Sequence, residues 1–346
     1  MPKRALSLLS AVLALSAPAF ARPPERTDEE REAWTPTATT LRADAAGIAL
    51  PQTVAGLSLS KSGEVSNGGK GIDNYAQYLS DDGAVQATLY IYMPSYADAS
   101  LAAYMTDKAI MARFGGKTRR TAYAGQPVAG RAKGAIRAVY DDAADGALTT
   151  AAAFVHAGRW MVKLRVTGPM ERRKEVLAGL DGMLSGLHFD KATDIHATRA
   201  ATYAACPVAD SPDARMTGPA AAAPIDIAMP REGRAPLCIR GRVDSADGSY
   251  EILQQAGVKD GAIIVPVDDA GTVLAFDPAA KGQGYQLSIH SVGQTDIYGV
   301  YDRVPSPRQI AEILDGKDPQ TAQAGTVAAF AANGEVTLRS GNGPGR

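Results

Sequence analysis

The chain has 346 residues, of which 45% are hydrophobic, 21% charged and only 6% aromatic, with 35 glycines and 21 prolines. This composition excludes wholesale disorder and fibrous structure, and the length accommodates two domains of ordinary size. A formal net charge of −1 excludes a strongly basic nucleic-acid binder and a polyacidic tail.

Residues 1–21, MPKRALSLLSAVLALSAPAFA, predict a secretory signal peptide. Lys3 and Arg4 form its basic start. The apolar run Ala5 to Leu15 is too short for a bilayer core of ~30 Å. Ala19-Phe20-Ala21 has the small-x-small form of a cleavage site. The expected product is periplasmic or secreted, cut near Ala21. No later stretch reaches ~18 consecutive apolar residues, so no transmembrane segment is expected. The 2 cysteines, Cys206 and Cys238, suit one bridge in such an oxidising compartment. It would close a loop of ~32 residues and contribute about 3–4 kcal/mol in the chain-entropy model.

Residues 22–49 are polar and proline-rich at their start, and predict a flexible leader. From residue 50 the pattern turns strand-like. Ile72–Ser80 and Ala84–Met93 flank Asp81-Asp82-Gly83, a hairpin signal. In the second strand Val85, Ala87, Leu89, Ile91 and Met93 share one face, while Tyr90 and Tyr92 share the other. A helix follows, with Ser95 as its expected cap, Asp98 as the capping-box acid and Gly115-Gly116 as its stop. Strands are expected near 118–124, 132–141, 147–156 and 159–167, the last two joined by an Ala157-Gly158 turn. Gly168-Pro169 then opens an amphipathic helix striped by Val176, Leu180, Met183, Leu184 and Leu187. This first domain spans 50–191.

Residues 192–236, with ACPVADSP and GPAAAAP, read as an Ala/Pro-rich linker. Residues 237–340 predict a mostly-β domain of hairpins, with one short helix capped by Ser306 and begun by Pro307. Asn333-Gly334 is its strongest turn signal. Residues 47–191 carry 17 basic and 13 acidic side chains, and residues 192–346 carry 13 and 18. The opposite signs suit two halves that dock on each other or face different partners, although two solvated surfaces explain them more simply.

The element order of the first domain resembles the PsbP-like fold of the DcrB type. VAGLSLSKSG leads in, YAQYLSDDGAVQATLYIY makes a hairpin, SLAAYMTDKAIMARF a helix, and RWMVKLRVTG runs into the helix MERRKEVLAGLDGMLSGL. The resemblance covers about 140 residues. It implies an α+β fold, an antiparallel sheet packed by helices, that serves binding or assembly, and it brings no catalytic residues with it. The second domain is then a mostly-β antiparallel α+β domain.

Familiar catalytic motifs are incomplete. Ser58-Leu59-Ser60-Lys61 has the S-x-x-K form but sits in an expected strand without companion motifs. Gly63 to Gly71 lacks the Lys-Ser/Thr order of a phosphate loop. His188, Asp190, Asp194 and His196 lie within nine residues and offer donors for zinc, although in no established spacing. The more informative pattern is a sheet face. On the side away from the Trp160 core, parity gathers His156, Arg159, Lys163 and Arg165, with Arg137, Tyr90 and Tyr92 from neighbouring strands. A basic face carrying aromatics suits an anionic glycan, a lipid headgroup or an acidic envelope protein. The expected role is non-catalytic binding or assembly in the envelope, with no cofactor and no nucleic acid. The alternatives are a periplasmic metal-assisted hydrolase at His188 and His196, and a structural envelope protein without a small ligand.

Overall fold

The computed structural model describes residues 33–66, 71–207, 212–218, 236–279 and 284–341. Residues 1–32, which hold the expected signal peptide and the start of the expected leader, and residues 208–211 and 219–235 of the Ala/Pro stretch lie outside them.

The described part of the leader is not a free tail. Three short strands, β1 (Thr35–Pro36), β2 (Thr40–Ala43) and β3 (Ile48–Pro51), form a small antiparallel sheet with β12 (His188–Phe189). Its polar composition conceals spaced core residues. Trp34, Leu41, Ile48 and Leu50 are all buried in the main core, and Trp34 Nε1 donates to the Gly63 carbonyl at 2.9 Å. Burying each such side chain contributes about 1.5–3 kcal/mol, which together with the sheet hydrogen bonds works against the entropy cost of ordering the segment.

The first unit's main sheet has eight antiparallel strands: β4 (Thr53–Val54), β5 (Leu57–Glu64), β6 (Asp73–Leu79), β7 (Gln86–Tyr92), β8 (Arg119–Val128), β9 (Arg131–Asp142), β10 (Leu148–Ala157) and β11 (Trp160–Pro169). Their spatial order is β4-β5-β6-β7-β11-β10-β9-β8. The β6–β7 hairpin turns where expected. Gly83 takes φ +70°, and the Ser80 hydroxyl donates to Asp82 at 2.7 Å. The β10–β11 hairpin turns one residue later than the sequence suggests, because Gly158 alone adopts the left-handed φ of +59°. Ala157 therefore faces Trp160, and His156 faces Met161 rather than Arg159.

Both faces of this sheet are covered. Helix α1 (Ala99–Phe114) lies on one, and helix α2 (Arg173–Gly186) on the other, where Val176, Leu180, Met183 and Leu184 meet Leu89, Ile91, Val162 and Leu164. The cap of α1 is Asp98, whose carboxylate accepts from the Ser100 and Leu101 amides, not Ser95. Ser95 is buried and bonded to the His290 ring of the second unit at 3.1 Å. Helix α1 has two buried sides. Ala99, Ala102 and Ala103 pack on Phe154, Met161 and Ile136, while Leu101 packs on Leu253, Ile264 and Val273.

Residues 192–207, expected as linker, strap the first unit to the second. Ile195 bridges Ala157, the Thr198 amide donates to the Lys133 carbonyl, and Cys206 bonds Cys238 with Cα atoms 5.1 Å apart. The second sheet is also antiparallel, in the order β14 (Leu237–Ser245), β15 (Gly248–Gln255), β16 (Ile263–Pro266), β17 (Val273–Pro278), β18 (Tyr285–Ser291), β19 (Gln294–Tyr301), β20 (Thr326–Phe330) and β21 (Val336–Ser340). A short β13 (Met216–Gly218) pairs with β19. Helix α3 (Pro307–Leu314) begins with the Ser306–Gln309 capping box and buries Ile310 and Ile313 against Phe276, Leu287 and Tyr301. The chain is thus built of antiparallel sheets with few helices. Charge is complementary where the units meet: Lys108 pairs with Glu251, and Lys163 with Asp269.

Candidate functional site

Where α1, the first sheet and the second unit converge, a cavity of about 320 Å³ remains open. That is the small end of the range for ligand pockets, about 300–1,000 Å³. Its floor is the non-core face of β6, β7 and β11, which supplies Asp73, Tyr90, Tyr92, Lys163 and Arg165. One wall is the last turns of α1, with Ala109, Ile110 and Arg113. The other is the turn between β16 and β17, with Asp269 and Ala270.

That turn is shaped by its own sequence. Asp268 accepts from the Ala270 and Thr272 amides at 2.9 Å each, and Gly271 takes φ +100°. Gly271 also lies where a Cβ would come within 2.8 Å of Pro94, so the turn seats closely on the first unit. It presents Asp269 to Lys163 Nζ at 2.5 Å and to the Thr106 hydroxyl at 3.0 Å. The Lys163 side chain is only 11% exposed. Burial pushes its ammonium below the ordinary lysine range, and Asp269 partly offsets this. Burial alone would raise Asp269, but Lys163 and Thr106 together hold it below the usual carboxylate value.

Arg165 differs from its neighbours. On the same sheet Arg137 faces Asp181 at 2.7 Å, Arg120 faces Asp107 at 2.9 Å and Lys163 faces Asp269. Arg165 has no ion pair with a described carboxylate, and neither has Arg113 across from it. Burial and then the Arg113 charge lower the Arg165 pKa. Both guanidiniums lie against the Phe114 ring, at 5.6 Å for Arg113 and 5.8 Å for Arg165. Lys163 lies 5.9 Å from the Tyr90 ring. Asp73, also on the floor, is pushed up to about 6, first by burial and then by Glu64.

Of the seven residues on the expected basic face, Tyr90, Tyr92, Lys163 and Arg165 come together here. The other three do not. Arg137 projects to the opposite face, where it holds α2 through Asp181, because its strand neighbour Ile136 is the one that meets Phe154. His156 keeps its face but is buried under the strap, its ring 4.5 Å from that of His196, and burial pushes its imidazole down to about 3. Arg159 occupies the hairpin turn and donates to the Gly334 carbonyl at 2.6 Å. The face is therefore not an open platform; what stays accessible is the cavity.

Of the four candidate zinc residues, Asp190, Asp194 and His196 line a second cavity beside the β10–β11 turn, but they do not converge on one point. Asp190 pairs with Arg42, His196 Nε2 lies 3.2 Å from the Gly158 carbonyl, and His188 is exposed on β12. Among the described residues no three His, Cys, Asp or Glu side chains gather as a donor set. The sequence pattern alone does not mark Arg113, Asp73 or Asp269. The usable signal was the acidic DDAG turn in the acidic half of the chain, set against a basic sheet face in the other. No family model matches the chain, and no curated protein matches it.

Proposed function

We propose that this is an exported, non-catalytic binding protein of the cell envelope, with a small ligand held between its two units. The observation that carries the reading is the convergence of three elements from both units on one cavity with charged groups in its lining. Support for export comes from the leader pattern of residues 1–21 and from the Cys206–Cys238 bridge. The first unit is proposed as a PsbP-like fold of the DcrB type. Its hairpin, helix, strands and closing helix follow that order, and such folds serve binding or assembly.

Ala109 is exposed at the mouth of the cavity, so Ala109→Trp closes it without disturbing the core. A panel of small anionic, neutral and cationic compounds is screened by thermal shift against both proteins. Compounds that stabilise the wild type and not A109W support the reading. No stabilising compound, or stabilisation retained in A109W, refutes it. Protein recovered from the periplasm should begin near Arg22.

A further inference from the structure

We infer that the cavity takes a small organic oxyanion, a carboxylate or phosphate head on a compact apolar body, with the head between the guanidiniums of Arg165 and Arg113. This deepens the binding reading above and rests on it.

The charges lining the cavity are unbalanced. The cavity lining holds three cations, Arg113, Lys163 and Arg165, and two acids, Asp73 and Asp269. Lys163 and Asp269 already satisfy each other. That leaves Arg165 and Arg113, both set against the Phe114 ring, without a direct ion pair to a described carboxylate; Asp269 reaches Arg165 only as a more distant charge, and weakly beside burial and the Arg113 charge. Arg165 is half-buried and Arg113 exposed, so their repulsion is only partly screened by water, and an anion between them would relieve it. The neighbouring cations of this sheet solve the same problem with Asp107, Asp181 and Asp269. At Arg165 the chain supplies an aromatic ring instead, Phe114, which supports both guanidiniums from the side and leaves their N–H groups for something else. The planar guanidinium fork fits the paired oxygens of a carboxylate or phosphate. Ala109, Ile110 and Ala270, with the Tyr90 ring, provide an apolar wall for the rest of the molecule. The volume, about 320 Å³, limits that body to a small ring or short chain rather than an oligomer.

The test is calorimetric titration of the full oxidised chain with four probes: benzoate, phenyl phosphate, neutral benzamide and cationic benzylamine. Benzoate or phenyl phosphate should bind at least about tenfold more tightly than benzamide and benzylamine, the value of a charge-assisted hydrogen bond. Binding of benzoate alone assigns a carboxylate head, of phenyl phosphate alone a phosphate head, and of both an unselective oxyanion site. Arg165→Gln should weaken the anion by at least about tenfold, and Arg165→Lys should recover only part of it, since an ammonium lacks the fork. Arg113 is exposed on the last turn of α1, so Arg113→Gln keeps the fold and provides a second reading if R165Q is unstable. Retained anion affinity in R113Q, or in a folded R165Q, overturns the inference. So does benzamide binding as tightly as benzoate, which leaves the cavity a binding site of another class. If no probe binds and the broader thermal-shift panel is also silent, both readings fall together.

Discussion

The ion pair between Lys163 and Asp269 makes an asymmetric prediction about how the two units hold together. The partners are unequally shielded, with side chains 11% and 34% exposed respectively. Asp269→Asn leaves an ammonium buried without its counter-charge. Breaking a fully buried pair this way costs about 3–5 kcal/mol. The open side of the pair and the already lowered lysine pKa reduce that, so about 2–3 kcal/mol is expected near neutral pH. Lys163→Met leaves the carboxylate instead, which keeps the Thr106 hydroxyl and reaches water, so about 1 kcal/mol or less is expected. Urea unfolding reports both values through Trp34 and Trp160, which lie in the core of the first unit. The sign of the pH effect separates this account from a packing defect. In D269N the folded-state pKa of Lys163 falls further below its unfolded value. The folded protein then binds fewer protons than the unfolded chain, and stability rises with pH. The D269N penalty should therefore shrink as pH rises from neutral towards the ordinary lysine range. If K163M proves as costly as D269N, or the D269N penalty is flat across that window, the pair does not act as a shielded charge contact and the reasoning fails.

Three further outcomes follow from the structure. Replacing Cys206 and Cys238 together by serine removes the constraint on a 32-residue separation and should cost about 3–4 kcal/mol, measured as a fall in melting temperature that reductant reproduces in the wild type. Gly293, at φ +69° where a Cβ would meet Ile72 Cδ1 at 2.1 Å, seats the second unit on the first; Gly293→Ala should destabilise by about 2 kcal/mol or more in the same urea assay. Asp73, raised from 3.8 to about 6, gives the folded state extra stability at low pH that is lost as pH rises through about 6. Asp73→Asn should therefore match the wild type near pH 4 and exceed it in melting temperature above about pH 6.

Much of this fold was legible in local sequence because its signals are local. Asp82-Gly83, Asn333-Gly334 and the Ser306-Pro307 cap each combine a required backbone angle with a residue that tolerates it, and the elements they bound lie where the pattern puts them. Tertiary context decided the rest. Ser95 looked like a helix cap because its hydroxyl suits that role, but it is taken by His290, nearly 200 residues away, and Asp98 caps instead. The leader around Trp34 looked unstructured because its few apolar residues are widely spaced, and only the main core makes their burial worthwhile.

The candidate site shows where such reasoning holds and where it stops. The β10–β11 register differs by two residues from the expected one, which is an even number, so no side chain changes face. Phe154, Met161, Lys163 and Arg165 accordingly remain on the predicted side despite the wrong turn. Arg137 lies across a third strand whose pairing no sequence signal anchors, and one step of parity places it on the face opposite to the expected one. What covers the face was not legible at all. Helix α1 shows a mixed pattern because it buries Ala99, Ala102 and Ala103 on one side and Leu101 on another, and a single amphipathic stripe cannot represent two partners. The same double burial converts a basic surface into a cavity. A platform open to a glycan or a protein would leave Arg165 fully hydrated, and its lack of an anionic partner would mean little. Enclosed by α1 and the Asp269 turn, the same guanidinium is half-buried beside the Arg113 charge, with Asp269 engaged by Lys163 and acting on it only from further away, and this excess of positive charge favours an anion at that end of the cavity.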